Sequence, residues 1–140
     1  MKTLAFSLIM LVSLAAPGGS QDHATPSDRT WGIVNGRWWK AVSAEIRIGF
    51  VQGYGIGHSL AVAEGPRCTE GEWFKGDPSN GEVRAALDKF YEEPANASIA
   101  VTDAIEIVAL KFNGRTGSQI ELETTLHRKA STMAPESKKP

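Results

Sequence analysis

The stretch from Ser43 to Ala63, SAEIRIGFVQGYGIGHSLAVA, decides the fold class. Ile46, Gly49, Phe50, Gly53, Gly57 and Leu60 recur at steps of three and four, the period of one helical face and not of a strand. The spacing predicts a helix over 43–63, with Ser43 as N-cap and Glu45 well placed in the first turn. Gly65-Pro66 is its stop signal. Each of Gly49, Gly53 and Gly57 costs a helix about 1 kcal/mol relative to alanine. The expectation is therefore that this glycine stripe is a structural contact, a flat surface against which a neighbouring helix packs closely.

Working outward, Trp31, Ile33, Val34, Trp38 and Trp39 crowd large apolar side chains before this helix, with Asn35-Gly36 reading as a turn and 36–41 as a short helix. Residues 64–78 read as a loop carrying Cys68, Trp73 and Phe74. Ser79 and Glu82 then match a capping box, and Val83, Ala86, Leu87, Phe90 and Tyr91 follow at helical spacing, predicting a helix over 80–93 that Pro94 ends. Val101, Ala104, Ile105, Val108 and Phe112 give the apolar face of a helix over 100–113, closed by Gly114. Beyond it, Ser118 and Glu121 suggest a second capping box for a short helix over 118–130. The fold expected is all-α, a single domain over 31–114 of three main helices plus a short N-terminal one. A flexible leader, 21–30, precedes it and a weakly helical to disordered tail, 115–140, follows.

Met1-Lys2, the apolar run Leu4–Leu14 and the small residues 15–20 have the three-part form of a secretory signal peptide. The apolar run is too short for the roughly 20 residues of a membrane span. These features predict export to the periplasm or medium without an anchor. Of the 140 residues, 41% are hydrophobic and 22% charged, ordinary material for one domain. Loss of residues 1–20 removes one base and no acid, leaving 14 bases against 16 acids and a net charge of −2. Bases and acids are interspersed, which argues against nucleic acid as a partner. Cys68 is the single cysteine, so no internal disulfide forms; in an exported chain it reads as a free thiol, a small buried residue or the site of a disulfide-linked dimer.

Catalytic patterns are thin. Gly57-His58-Ser59-Leu60-Ala61 is similar to a nucleophile elbow, with Asp103 and His127 following in hydrolase order, but Ser59 falls inside a helical period where an elbow needs a strand. His23, His58 and His127 lack metal-ligand spacing, so neither metal nor cofactor is expected. Asp88, Glu92, Glu93, Asp103 and Glu106 read as a solvated helical face. Asn96-Ala97-Ser98 fits the glycosylation pattern. The expectation is a non-catalytic protein-binding module, with a small Ser59 hydrolase as the alternative. Aromatic residues are enriched at binding hot spots; the loop residues Cys68, Trp73 and Phe74 are the first candidates for the surface.

Two stretches carry a resemblance: Asn35–Trp39 leading into Gly49–Gly57, and Leu87–Asn96 leading into Val101–Ile105. Together they resemble small, uncharacterised bacterial exported helical proteins and, more distantly, the Tai-type immunity proteins of type VI secretion. The resemblance covers roughly residues 31–114. It implies a helical periplasmic protein that neutralises a cell-wall amidase, and it brings no catalytic residues with it.

Overall fold

The computed structural model describes residues 24–64 and 74–134. The fold is all-α: α1 (Gly36–Ala41), α2 (Ala44–Glu64), α3 (Asn80–Phe90), α4 (Val101–Phe112) and α5 (Gly117–Thr132), the last four substantial. A two-stranded antiparallel hairpin, β1 (Arg29–Thr30) and β2 (Ile33–Val34), precedes them, with Arg29 opposite Val34 and Thr30 opposite Ile33. None of the helices among the described residues is long and apolar enough to cross a membrane.

The N-terminal segment differs from expectation at two points. The hairpin turns at Trp31-Gly32, both at positive φ, and not at Asn35-Gly36. Asn35 instead caps α1, its Oδ1 accepting from the Arg37 N–H at 3.0 Å, while its Nδ2 donates to Ser27 O and to Thr30 Oγ1 at 3.1 and 3.2 Å. Asparagine suits either role, because its short amide can hydrogen-bond a turn or cap a helix. The supposed leader is also partly built in. Thr30 is buried and donates its hydroxyl to Ser98 O, and Asn35 forms an isolated antiparallel bridge with Ala100 at the start of α4.

Helix α4 is the centre of the molecule. It buries Val101, Ala104, Ile105, Ile107, Val108 and Ala109, so more than one of its faces is covered, and it packs between α3 and α5. Helix α3 supplies Val83 and Leu87, Tyr91 follows at its end, and α1 supplies Trp39; Leu87, Tyr91 and Trp39 are wholly enclosed. The Tyr91 hydroxyl donates to Ile99 O at 3.1 Å, which satisfies its polar end inside the core.

Helix α2, although the longest described helix, buries only Val51 fully among its described side chains. Phe50 joins it to α1 through Trp38 and Trp39, at ring-centroid distances of 5.6 and 6.4 Å. Among the described residues the expected glycine contact is not made. Gly49, Gly53 and Gly57 are exposed, and no atom of the described residues lies within 4 Å of where a Cβ would stand on any of them. At 100° per residue, turning Val51 inward carries the stripe away from the core, because Val51 stands about 160° from Gly49 and Gly53 and about 120° from Gly57. The glycine that does meet a close neighbour is Gly36, where a Cβ would collide with the Tyr91 ring and stand 3.1 Å from Ala97 Cα.

Helix α5 is the helix expected over 118–130, running from Gly117 to Thr132. Its cap is Thr116, whose hydroxyl accepts from the Gln119 N–H while Gln119 Oε1 accepts from the Thr116 N–H at 3.1 Å, one box upstream of the Ser118–Glu121 pairing. The helix is held by buried Thr124 and by Arg128 Nε donating to Asn96 Oδ1 at 2.8 Å. Residues 135–140 lie outside the described residues.

Candidate functional site

A groove of about 420 Å³ opens to solvent between α2 and the start of α3. Val51, Val83 and Ile105 bring core side chains to it, Gln52 and Ser59 add polar atoms from α2, and Phe74 stands on the turn that leads into α3. That turn is held in place from both ends. Phe74 packs edge-on against Phe112 at 5.5 Å, and the Lys75 N–H donates to Asn113 Oδ1 at 2.6 Å. Gly76 and Asp77 both have positive φ, a backbone that glycine adopts freely and aspartate tolerates. The chain then enters α3 at Ser79, whose hydroxyl accepts from the Glu82 N–H while Glu82 Oε2 accepts from the Ser79 N–H at 2.8 Å. The Ser79 hydroxyl also donates to Glu82 Oε2 at 2.8 Å, and that bond first, then the one from the Ser79 N–H, lowers the Glu82 carboxyl from its ordinary pKa.

Of the residues expected to bind, Phe74 reaches this groove, while Cys68 and Trp73 lie outside the described residues. Among the other aromatics, Trp39 is core, Trp38 is half-buried, and Trp31 is 56% exposed at the hairpin turn.

The hydrolase residues are only partly assembled. His127 Nδ1 lies 3.2 Å from Asp103 Oδ2, joining α5 to α4. Ser59 lies in the body of α2, and its hydroxyl donates to Gly55 O at 3.0 Å, the back-bonding common for serine inside a helix. Around the His127–Asp103 pair, Glu106 and Tyr54 form a titrating group. Desolvation, and secondly the Asp103 charge, raise the Glu106 carboxyl above its ordinary value against the opposing pull of His127 and His58. Tyr54 is raised by desolvation, then by Glu106 and Asp103. Among the described residues no group of three or more His, Cys, Asp or Glu side chains is arranged to hold a metal ion.

The Glu106 shift has a pH signature. A carboxyl with a folded-state pKa above its unfolded value favours folding in its protonated form, so that contribution is present in acid and lost as pH rises through the raised pKa. Glu106→Gln should therefore melt at a higher temperature than the parent at pH 7, with the gain vanishing below about pH 4. Melting temperatures over pH 4–8 check it; a gain independent of pH would mean that the carboxylate carries no such penalty.

Two residues read as surface features are structural. Asp88 is only 28% exposed and accepts from Trp39 Nε1, Arg47 Nη1 and Arg84 Nη1 at 2.8, 3.0 and 2.7 Å. Asn96, the acceptor of the glycosylation pattern, is 4% exposed, with its Nδ2 donating to Phe90 O at 2.7 Å and its Oδ1 taken by Arg128. A glycan cannot be fitted there without undoing those bonds. No protein-family model, curated protein or solved structure matches the chain.

Proposed function

We propose that this is an exported, non-catalytic protein-binding module that takes an apolar segment of a partner protein into the groove between α2 and α3. The observation that carries the reading is the groove itself, which exposes core-type side chains and has Phe74 at its wall. Helix-in-groove recognition uses apolar anchors of this kind, with a few polar groups to orient them. Export follows from the signal-like residues 1–20, and the resemblance to Tai-type immunity proteins makes a cell-wall amidase the first partner class to try. The back-bonded Ser59 adds nothing to the hydrolase alternative.

One position tests binding and catalysis together. Ser59→Trp should fill the groove and abolish capture of the partner from the native envelope or secretome, while Ser59→Ala should leave capture intact. Circular dichroism would confirm that both variants remain helical. Equal capture by Ser59→Trp would reject the groove. Ester or peptidoglycan turnover that disappears in Ser59→Ala would favour the enzyme. Sequencing the N-terminus of the native protein tests export, and an intact Met1 would count against it.

A further inference from the structure

From Ile48 to Ala63, α2 carries no Asp, Glu, Lys or Arg, and this uncharged run lies on a helix with one fully buried residue. Its outer face presents Ile46, Ile56 and Leu60 at 43, 56 and 58% exposure, set around the open backbone of Gly49, Gly53 and Gly57. Scattered exposed apolar residues need no explanation, but a continuous uncharged stripe over four helical turns does. We infer that this face is covered by a second copy of the chain, in an antiparallel α2–α2 pair whose two-fold axis passes at Gly53.

The order of residues along the face supports a partner of this kind. Ile46 and Leu60 lie seven residues to either side of Gly53, about 10 Å along the axis, and Gly49 and Gly57 lie four to either side. Antiparallel pairing on Gly53 sets Ile46 on the partner's Leu60 and Gly49 on the partner's Gly57, with the two Gly53 positions facing. Large meets large at the ends, and backbone meets backbone at the middle. Such a surface is complementary to itself, which is what a two-fold interface requires. Glycine at the crossing lets two helices approach more closely than side chains would allow. Antiparallel helices also oppose their dipoles, whereas a parallel pair would align them and set Glu45 beside the partner's Glu45.

The partly exposed Ile46, Ile56 and Leu60 with the glycine backbone form a small patch, at the low end of the sizes that specific interfaces use. The dimer is accordingly weak and reversible. Ile56 and Leu60 also border the groove, but the inference stands without the groove reading, because it concerns the purified chain alone.

The test uses Cys68→Ser protein, which removes thiol exchange. Light scattering coupled to size exclusion, or sedimentation equilibrium, from about 1 to about 200 µM should show a monomer giving way to a dimer. Leu60→Lys and Ile56→Lys should each stay monomeric throughout with unchanged circular dichroism. In that background, chains carrying Ile46→Cys mixed with chains carrying Leu60→Cys should cross-link on oxidation, while neither should cross-link with itself. A wild-type surface that remains monomeric at the highest concentration overturns the inference. So does a dimer that survives both lysine variants, or an Ile46→Cys chain that cross-links with its own copy, which would indicate a parallel pair.

Discussion

Gly36→Ala should cost about 3 kcal/mol or more, the upper end of the range for overpacking a core, and lower the melting temperature by roughly 10–20 °C. The methyl group would enter the Tyr91 ring, with Ala97 backbone alongside. Whether such a clash is cheap depends on whether the neighbour can move. Tyr91 has no exposed surface, its hydroxyl is fixed on Ile99 O, and its ring packs on Trp39 and Phe90 at 6.3 and 5.2 Å. It has nowhere to go. The same substitution at Gly53, in open surroundings on α2, should stabilise the helix by about 0.5–1 kcal/mol when measured near 1 µM protein. Opposite signs at the two glycines are the expected result of thermal melts. Equal effects would mean that the close approach of α1 to Tyr91 is misplaced.

Asp88→Ala should be nearly as damaging, about 2–3 kcal/mol by urea denaturation. Breaking a buried ion pair costs about 3–5 kcal/mol, and the partial exposure of all three charged groups reduces that through solvent screening. Removal of the carboxylate leaves two guanidiniums facing each other and the indole N–H of Trp39 without its acceptor. Arg47 has a second task, donating to Lys40 O and Val42 O at 3.2 and 3.0 Å, so its displacement would also release the end of α1. Asp88→Asn retains an acceptor and should lose less. Adding Arg84→Ala to Asp88→Ala should recover part of the loss by removing the like-charge contact. A cost of Asp88→Ala below about 0.5 kcal/mol would instead mark the group as an ordinary exposed pair.

The parts of the fold legible in the sequence were those written locally. The capping box at Ser79–Glu82 and the apolar period from Val101 to Phe112 each depend on residues within a few positions of one another. What needed three dimensions was direction. A glycine recurring every four residues reads alike whether its face is packed or open, so the stripe on α2 gave no sign that Gly36 would be the position of closest approach. Asp88 sits at a polar helical position, and nothing local shows that Trp39 and Arg47, more than forty residues away, converge on it. The groove is composed of α2, α3 and the turn at 74–79, and no single segment announces it. Of the candidate binding residues, Phe74 alone could be placed. Asp103 and His127 do meet, but as a contact between α4 and α5 and not around a nucleophile.

The bridge from Asn35 to Ala100 also bears on the order in which the chain can fold. Ala100 opens α4 without a side-chain cap, so the hairpin segment supplies backbone pairing at the beginning of the central helix. A chain made from its N-terminus releases Trp39, Phe50 and Val51 before Leu87, Tyr91, Ile99 and Val101 exist to cover them. Beyond the contacts of Phe50 with Trp38 and Trp39, the cover of these side chains therefore comes from the second half of the sequence. During synthesis, residues 24–64 are an unfinished surface for as long as α3 and α4 are missing. Until those helices arrive, the apolar side chains of α1 and α2 lack part of the cover they have in the finished fold.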